Sequence, residues 1–296
     1  MKSPDLRITV EAAISLILMA GVPVFIKFTN ANSYTIGIVR LLMATFLIIL
    51  LLAYKKERPT FKIAYIKKLV IIGIVFSIHW VTYFISIKIS TASIGILGAS
   101  TYGIHLIFLG WIFLKAKPRI IDIFTIAFAF WGTYLIIPEF SLKNNITLGL
   151  AISIVSGMFF AMLPILHQKS QFIPGTQRAL GQFIFAIPLF LLFIPQYDFN
   201  LNKADWYSLL YLGIFGTFIS HSLWINVSTK LNTTVTSLIF YIIIPITMTV
   251  SYFWLGEEMK FNKLLGALMI VSANIIGILS RFYSRRNKLA TKAENL

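Results

Sequence analysis

Residues 69–88 read LVIIGIVFSIHWVTYFISIK and residues 211–230 read YLGIFGTFISHSLWINVSTK. Laid over one another at an offset of 142 positions, they place His79 on His221 and Lys88 on Lys230. The same offset brings Lys27 onto Lys169 and Trp111 to within one residue of Trp254. The chain has only four histidines, so one matched pair carries information. Both stretches fall in apolar runs of about 20 residues, the length a helix needs to cross the hydrocarbon core of a bilayer.

Outward from these two stretches the pattern repeats. Ten such runs follow one another, at roughly 9–28, 34–54, 69–88, 91–114, 120–137, 146–167, 178–195, 206–228, 233–255 and 262–282. The connections are short, which leaves no room for a separate soluble domain. Of the 296 residues 58% are hydrophobic and 12% charged, where a soluble domain has about 25% charged. The expectation is an all-α integral membrane protein of ten transmembrane helices. With the offset at 142, residues 1–143 and 144–282 each hold five spans, and 283–296 form a basic cytoplasmic tail. Five is odd, so the second half enters the bilayer from the opposite side, an inverted repeat around a central cavity. Secondary transporters use this arrangement, with substrate near the midplane at the repeat interface.

The net charge of +16 is topological information rather than a nucleic-acid footprint, because the basic residues are spaced between apolar runs. With the N-terminus inside, 19 Lys and Arg fall on the cytoplasmic side and six outside: Lys27, Lys88, Lys143, Lys203, Lys260 and Lys263. Both termini are therefore expected in the cytoplasm, in a multi-pass plasma membrane such as a bacterial inner membrane. The first run is too long for a signal peptide and lacks a cleavage site, so it reads as an uncleaved helix. The tail cluster Arg281, Arg285, Arg286, Lys288 and Lys292 is expected to attract anionic lipid headgroups.

In the second half, the stretch Leu209-Leu-Tyr-Leu-Gly-Ile-Phe-Gly-Thr217 is followed by Leu223-Trp224, Pro245, Leu255-Gly256-Glu257 and Leu264-Leu-Gly266. Together these resemble the EamA repeat of the drug/metabolite transporter superfamily. The first half is similar but looser, with Pro23 and Lys27 early, Arg40 in the second span and Gly132 in the fifth. It departs from the pattern where Lys115 stands at the register of Glu257 and Gly103 at that of Pro245. The resemblance implies a basket-like bundle, alternating access, and export or exchange of amino acids and other small metabolites.

Candidate lining residues follow from intramembrane polar and aromatic groups, which usually face a cavity or a partner. His79 and Tyr83 share one helical face, with Phe76 and Trp80 nearby. His221 shares a face with Thr217, Trp224 and Ser228. The substrate-binding candidates are His79, Trp80, Tyr83, Tyr102, His221, Trp224 and Tyr241, with His105 a weaker one. Either histidine of the matched pair could carry a proton, or simply bond neighbouring helices. Gly95, Gly98, Ala99 and Ser100 suit close helix packing. Gating or structural candidates are Pro23, Lys27, Arg40, Lys169, Pro245 and Glu257. Arg40 is expected to meet a carboxylate or carbonyl ahead of direct substrate contact. Lys27 and Lys169 read either as gates or as snorkelling helix ends, Pro245 as a bend, and Glu257 as an anchor or lysine partner. Glu11, the one acid well inside a span, reads as a proton relay, a group that snorkels to the interface, or the partner of a nearby base, and in net charge it offsets Arg40.

Several classes have no motif here. The chain shows no H-E-x-x-H, no Gly-x-Ser-x-Gly elbow, no P-loop and no carbonyl filter, and it contains no cysteine. No enzyme, metal or cofactor is expected. Two readings stay open: a secondary transporter of a small-molecule substrate, or a non-transporting scaffold or subunit, which a dry leucine-filled centre would favour. The aromatic lining suits amino acids, amines or aromatic metabolites, with cation–π contact available to a cationic group.

Overall fold

The computed structural model describes residues 6–58, 62–115, 119–136, 141–231 and 233–294. Leu-, Ile- and Phe-rich runs satisfy their backbone polar groups internally as helices, and polar caps end them. Thus α1 (Leu6–Phe28) and α2 (Ser33–Tyr54) are separated by a turn whose Asn32 side chain accepts from the Tyr34 and Thr35 amides. α3 (Ile63–Ile89) leads to Thr91, whose hydroxyl caps the Ile94 amide at the start of α4 (Ala92–Ala99). α5 (Tyr102–Leu114), α6 (Ile120–Ile136) and α7 (Asn145–Gln168) complete the first repeat and open the second. Then come α8 (Gly175–Ile184), α9 (Ile187–Leu191), a short 3₁₀ turn and α10 (Lys203–Gly213). A π-helical segment (Ile214–Ile219) runs into α11 (Ser220–Lys230), followed by α12 (Thr233–Phe240), α13 (Ile243–Leu255) and α14 (Phe261–Glu294).

Among the described residues there is no strand, and six helices are long and apolar enough to cross a membrane. Large apolar side chains such as Phe46, Phe124 and Phe253 face outward, as lipid contact requires. The expected seventh span, 178–195, is broken in three, because Pro188 and Pro195 each remove a helical donor. α14 continues through residue 283 as one helix to Glu294, and the side chains of Arg281, Arg285, Arg286, Lys288 and Lys292 lie outside the described residues.

The two repeats interlock. α1 packs on α10, α11 and α13, and α7 packs in the same way on α3 and α5. α2 meets the π segment as α8 meets α3, while α2 meets α8 and α6 meets α14. Each of these contacts has its counterpart in the other direction, as a pseudo-two-fold relation between residues 6–136 and 145–280 requires, while α4 packs on α7 more closely than α12 does on α1. The α6–α14 pair stands to one side. Its backbones approach so closely that a Cβ on Gly132 would lie 2.8 Å from the Gly266 carbonyl.

Two breaks obey the same relation. α4 yields to α5 at Ser100–Thr101, and α12 yields to α13 at Tyr241–Ile242. The small residues before the first break let α4 lie against α7: Gly98 leaves space for Ser153, whose hydroxyl donates to the Gly95 carbonyl. At the second break Pro245 is half a turn inside α13, where the missing N–H costs little, and it is exposed. The bend therefore lies at Tyr241–Ile242, one turn before the proline, and the proline opens the next helix. Lys115 also sits differently from its expected register. It takes the left-handed position (φ 55°) that ends α5, as Gly256 (φ 65°) ends α13, so its structural counterpart is Gly256 and not Glu257.

Candidate functional site

Between the two breaks and the third helix of each repeat lies a central cavity. Arg40, His79, Trp80, Tyr83, Phe84, Phe160, His221 and Phe240 line it, with Met19, Val22, Ile96, Ala99 and Ile243. Its volume is about 40 Å³, room for a few waters and far below the roughly 300 Å³ of a metabolite pocket. A larger hollow of about 590 Å³ opens at the rim between α4, α6, α7 and α14, away from these side chains.

Arg40 dominates the cavity. It is fully buried, its Nε donates to Thr217 Oγ1 (2.9 Å) and its Nη2 to the Gly216 carbonyl (3.1 Å). These acceptors come from the π segment, where the register shift displaces carbonyls from their usual helical partners. Thr217 completes the local set by donating to the Leu212 carbonyl five residues back (2.7 Å). The guanidinium also lies 4.2 Å from the Trp80 ring centroid and 5.0 Å from that of Phe84. Its Nη1 has no hydrogen-bond partner among the described residues. Of the expected partners, a carboxylate or a carbonyl, Arg40 meets the carbonyl, and Glu11 pairs with the nearby base Arg7 (2.8 Å to Nε) and accepts from Asn226. No described Asp or Glu lines the cavity.

His79 is oriented by Ser156. The Ser156 hydroxyl donates to the His79 carbonyl (2.9 Å), so it accepts from His79 Nδ1 (2.7 Å), as the Ser156 carbonyl also does (3.1 Å). Both partners of Nδ1 are acceptors, so the proton of the neutral ring sits on Nδ1 and Nε2 keeps its lone pair. The His79 ring stacks on Phe160 with centroids 4.6 Å apart, while His221 meets Phe76 at 5.2 Å and Trp80 at 5.7 Å.

The structure brings His79, Trp80, Tyr83, His221 and Arg40 together at this cavity. Tyr102 and Trp224 are buried one layer behind it, packed on Phe160 and Phe240, and His105 does not line it. Tyr241 also lies outside the lining, with its hydroxyl end over the space that a Cβ on Gly103 would fill. Pro23 is buried in α1, four residues beyond the lining residue Met19.

The ends of the bundle are tied by charge and backbone. Lys27 does not snorkel: its Nζ donates to the carbonyls of Lys88 (3.0 Å) and Ser90 (2.5 Å), at the end of α3. At the opposite end Gln168, not Lys169, makes the equivalent contact, donating to the Ser228 carbonyl (3.0 Å) and that of Leu231 (3.3 Å). Lys169 instead lies 5.0 Å from the Phe113 ring centroid. Glu257 accepts from the amides of Ala92 (2.6 Å) and Ser93 (3.2 Å), capping α4 of the other repeat, and pairs with Lys263 (3.3 Å). Near it, Asp205 gathers the Thr29 hydroxyl (3.1 Å) and the Asn30 amide (2.7 Å).

Phe84, Phe160, Phe240 and the aliphatic lining escape a sequence reading, because an apolar residue facing a cavity looks like one facing a core.

No curated protein matches the chain significantly. A solved structure described only as a crystal structure of a protein superposes with a TM-score of 0.72 at 11% identity, covering 95% of this chain and 99% of its own. That likeness concerns the fold. The EamA-like transporter family matches residues 9–137 and 147–279, one copy on each side of the repeat boundary. The two matches cover the interlocked helices and the cavity between them, and the chain belongs to the EamA-like transporter family.

Proposed function

We propose that this chain is a secondary transporter of a small metabolite, an amino acid in the first instance, working by alternating access. The observation that carries the reading is the reciprocal packing of the two repeats around a buried cavity that holds Arg40, His79, Tyr83 and His221. Polar groups at that depth are costly unless used. The ten spans comprise the six long helices and the four interrupted or shorter stretches, with both termini in the cytoplasm and the bundle in a plasma membrane. Rocking of one repeat against the other opens the cavity alternately, and α6 with α14 braces the side. Direction follows the gradients, so export and exchange are two uses of one machine. His79 and His221 are the groups available for a coupled proton.

Counterflow in vesicles tests this. Purified protein in sealed proteoliposomes preloaded with unlabelled amino acid should accumulate the labelled form saturably. The small volume of the closed cavity supports a second reading, a scaffold or subunit that never opens. Vesicles that exchange no amino acid, amine or sugar would decide for that one.

A further inference from the structure

The cavity contains a positive charge that no described side chain of its lining neutralises. Arg40 lies in α2, is fully buried and lines the cavity, and its Nη1 has no partner among the described residues. The rest of the lining is neutral: two imidazoles, the Tyr83 phenol, an indole, phenylalanines and aliphatic side chains. Proteins rarely leave a buried guanidinium group both unpaired and unsatisfied, because each unmade hydrogen bond carries its full desolvation cost. Two of the aromatic faces that could hold a cationic substrate, those of Trp80 and Phe84, are taken by the Arg40 guanidinium.

We infer that Arg40 is the anchor for a single carboxylate on the transported molecule, which supplies the acceptor that Nη1 lacks. This rests on the transporter reading and names the substrate class for the same site: monocarboxylates with an apolar or aromatic body. Amines without a carboxylate are excluded, because they would bring a second positive charge beside the first. A phosphate ester is disfavoured too, since its second negative charge finds no second cation among the lining residues. An ammonium group is accommodated but not required. The lone pair on His79 Nε2, fixed by Ser156, can accept from it, which lets an α-amino acid use both ends of the site.

The test separates carboxylate from amine on one carbon frame. Phenylalanine, 3-phenylpropionate and 2-phenylethylamine are each titrated against the purified full chain, with binding read by calorimetry and counterflow measured in proteoliposomes. The expected result is that both carboxylates bind and exchange while the amine does so at least about tenfold more weakly. In Arg40→Gln the preference for carboxylate should vanish, and Arg40→Lys, which keeps the charge but loses the planar fork, should fall between. Thermal unfolding of each variant establishes that it is folded. Equal or tighter binding of the amine overturns the inference and leaves the transporter reading standing. So does unchanged carboxylate binding in a folded Arg40→Gln protein. Absence of binding by any carboxylate also overturns it, and flux of neutral or cationic metabolites then decides whether the protein transports at all.

Discussion

The guanidinium of Arg40 lies 4.2 Å from the centroid of the Trp80 ring, so two residues of different helices share one buried electrostatic contact beside the cavity. A desolvated cation–π contact contributes about 2 kcal/mol, and removing a buried indole adds a cavity cost. Trp80→Leu should therefore lower stability by about 2 kcal/mol or more, and Trp80→Phe by less. Thermal unfolding in detergent checks the order; equal midpoints for the two variants would show that the ring face does not matter.

Thr217 is a second support for Arg40, accepting from its Nε at 2.9 Å while donating to the Leu212 carbonyl. Thr217→Ala should cost about 1–3 kcal/mol by leaving a charged donor unmet, and Thr217→Ser should restore most of it. The measurement is the unfolding midpoint of the three proteins side by side. A serine variant as unstable as the alanine one would mean that the methyl group, not the hydroxyl, does the holding.

Glu257 caps α4 across the repeat boundary, and the residue that follows Lys115 as Glu257 follows Gly256 is Ala116, which has no carboxylate. Glu257→Gln should weaken the predicted outer end and bias the protein toward opening there. The chain has no cysteine, so Ile96→Cys in the cavity gives a single reporter for a membrane-impermeant thiol reagent added outside. Labelling should accelerate several-fold in the double variant, and an unchanged rate would remove Glu257 from any gating role.

The α6–α14 contact should be separable from the cavity. Gly132→Val would press a side chain onto the Gly266 carbonyl, forcing two helices apart at a cost of about 1–3 kcal/mol. Neither helix lines the cavity, so ligand affinity of the remaining folded protein should stay within about twofold. Calorimetric titration alongside unfolding distinguishes the two effects.

Hydropathy and the His79–His221 register were enough to read a helical membrane bundle with two related halves, because lipid demands long apolar runs and symmetry repeats rare residues. Hydropathy could not locate the breaks at Ser100–Thr101 and Tyr241–Ile242, since a break depends on local donors and packing more than on polarity. Arg40 is legible as a buried group that meets a carboxylate or carbonyl, but which carbonyl it meets is not, because a π-segment carbonyl carries no residue identity. Lys27 was matched to Lys169 correctly by position, yet Gln168 makes the contact, since a one-residue rotation on a helix moves a side chain by about 100°. Tyr102, Trp224 and Tyr241 were placed one layer too far in. Aromatic residues in such a bundle pack against lining residues as readily as they line.

An unmatched Arg40 also makes the site electrically unequal in its two conditions. With a simple monocarboxylate seated, the centre of the bundle is neutral; empty, or holding a zwitterionic amino acid, it carries one positive charge. A transmembrane potential acts on charge alone, at about 2.3 kcal/mol per elementary charge per 100 mV. Reorientation loaded with a simple monocarboxylate would then be indifferent to voltage, and the return of the empty carrier would be the step that the membrane field drives or holds back.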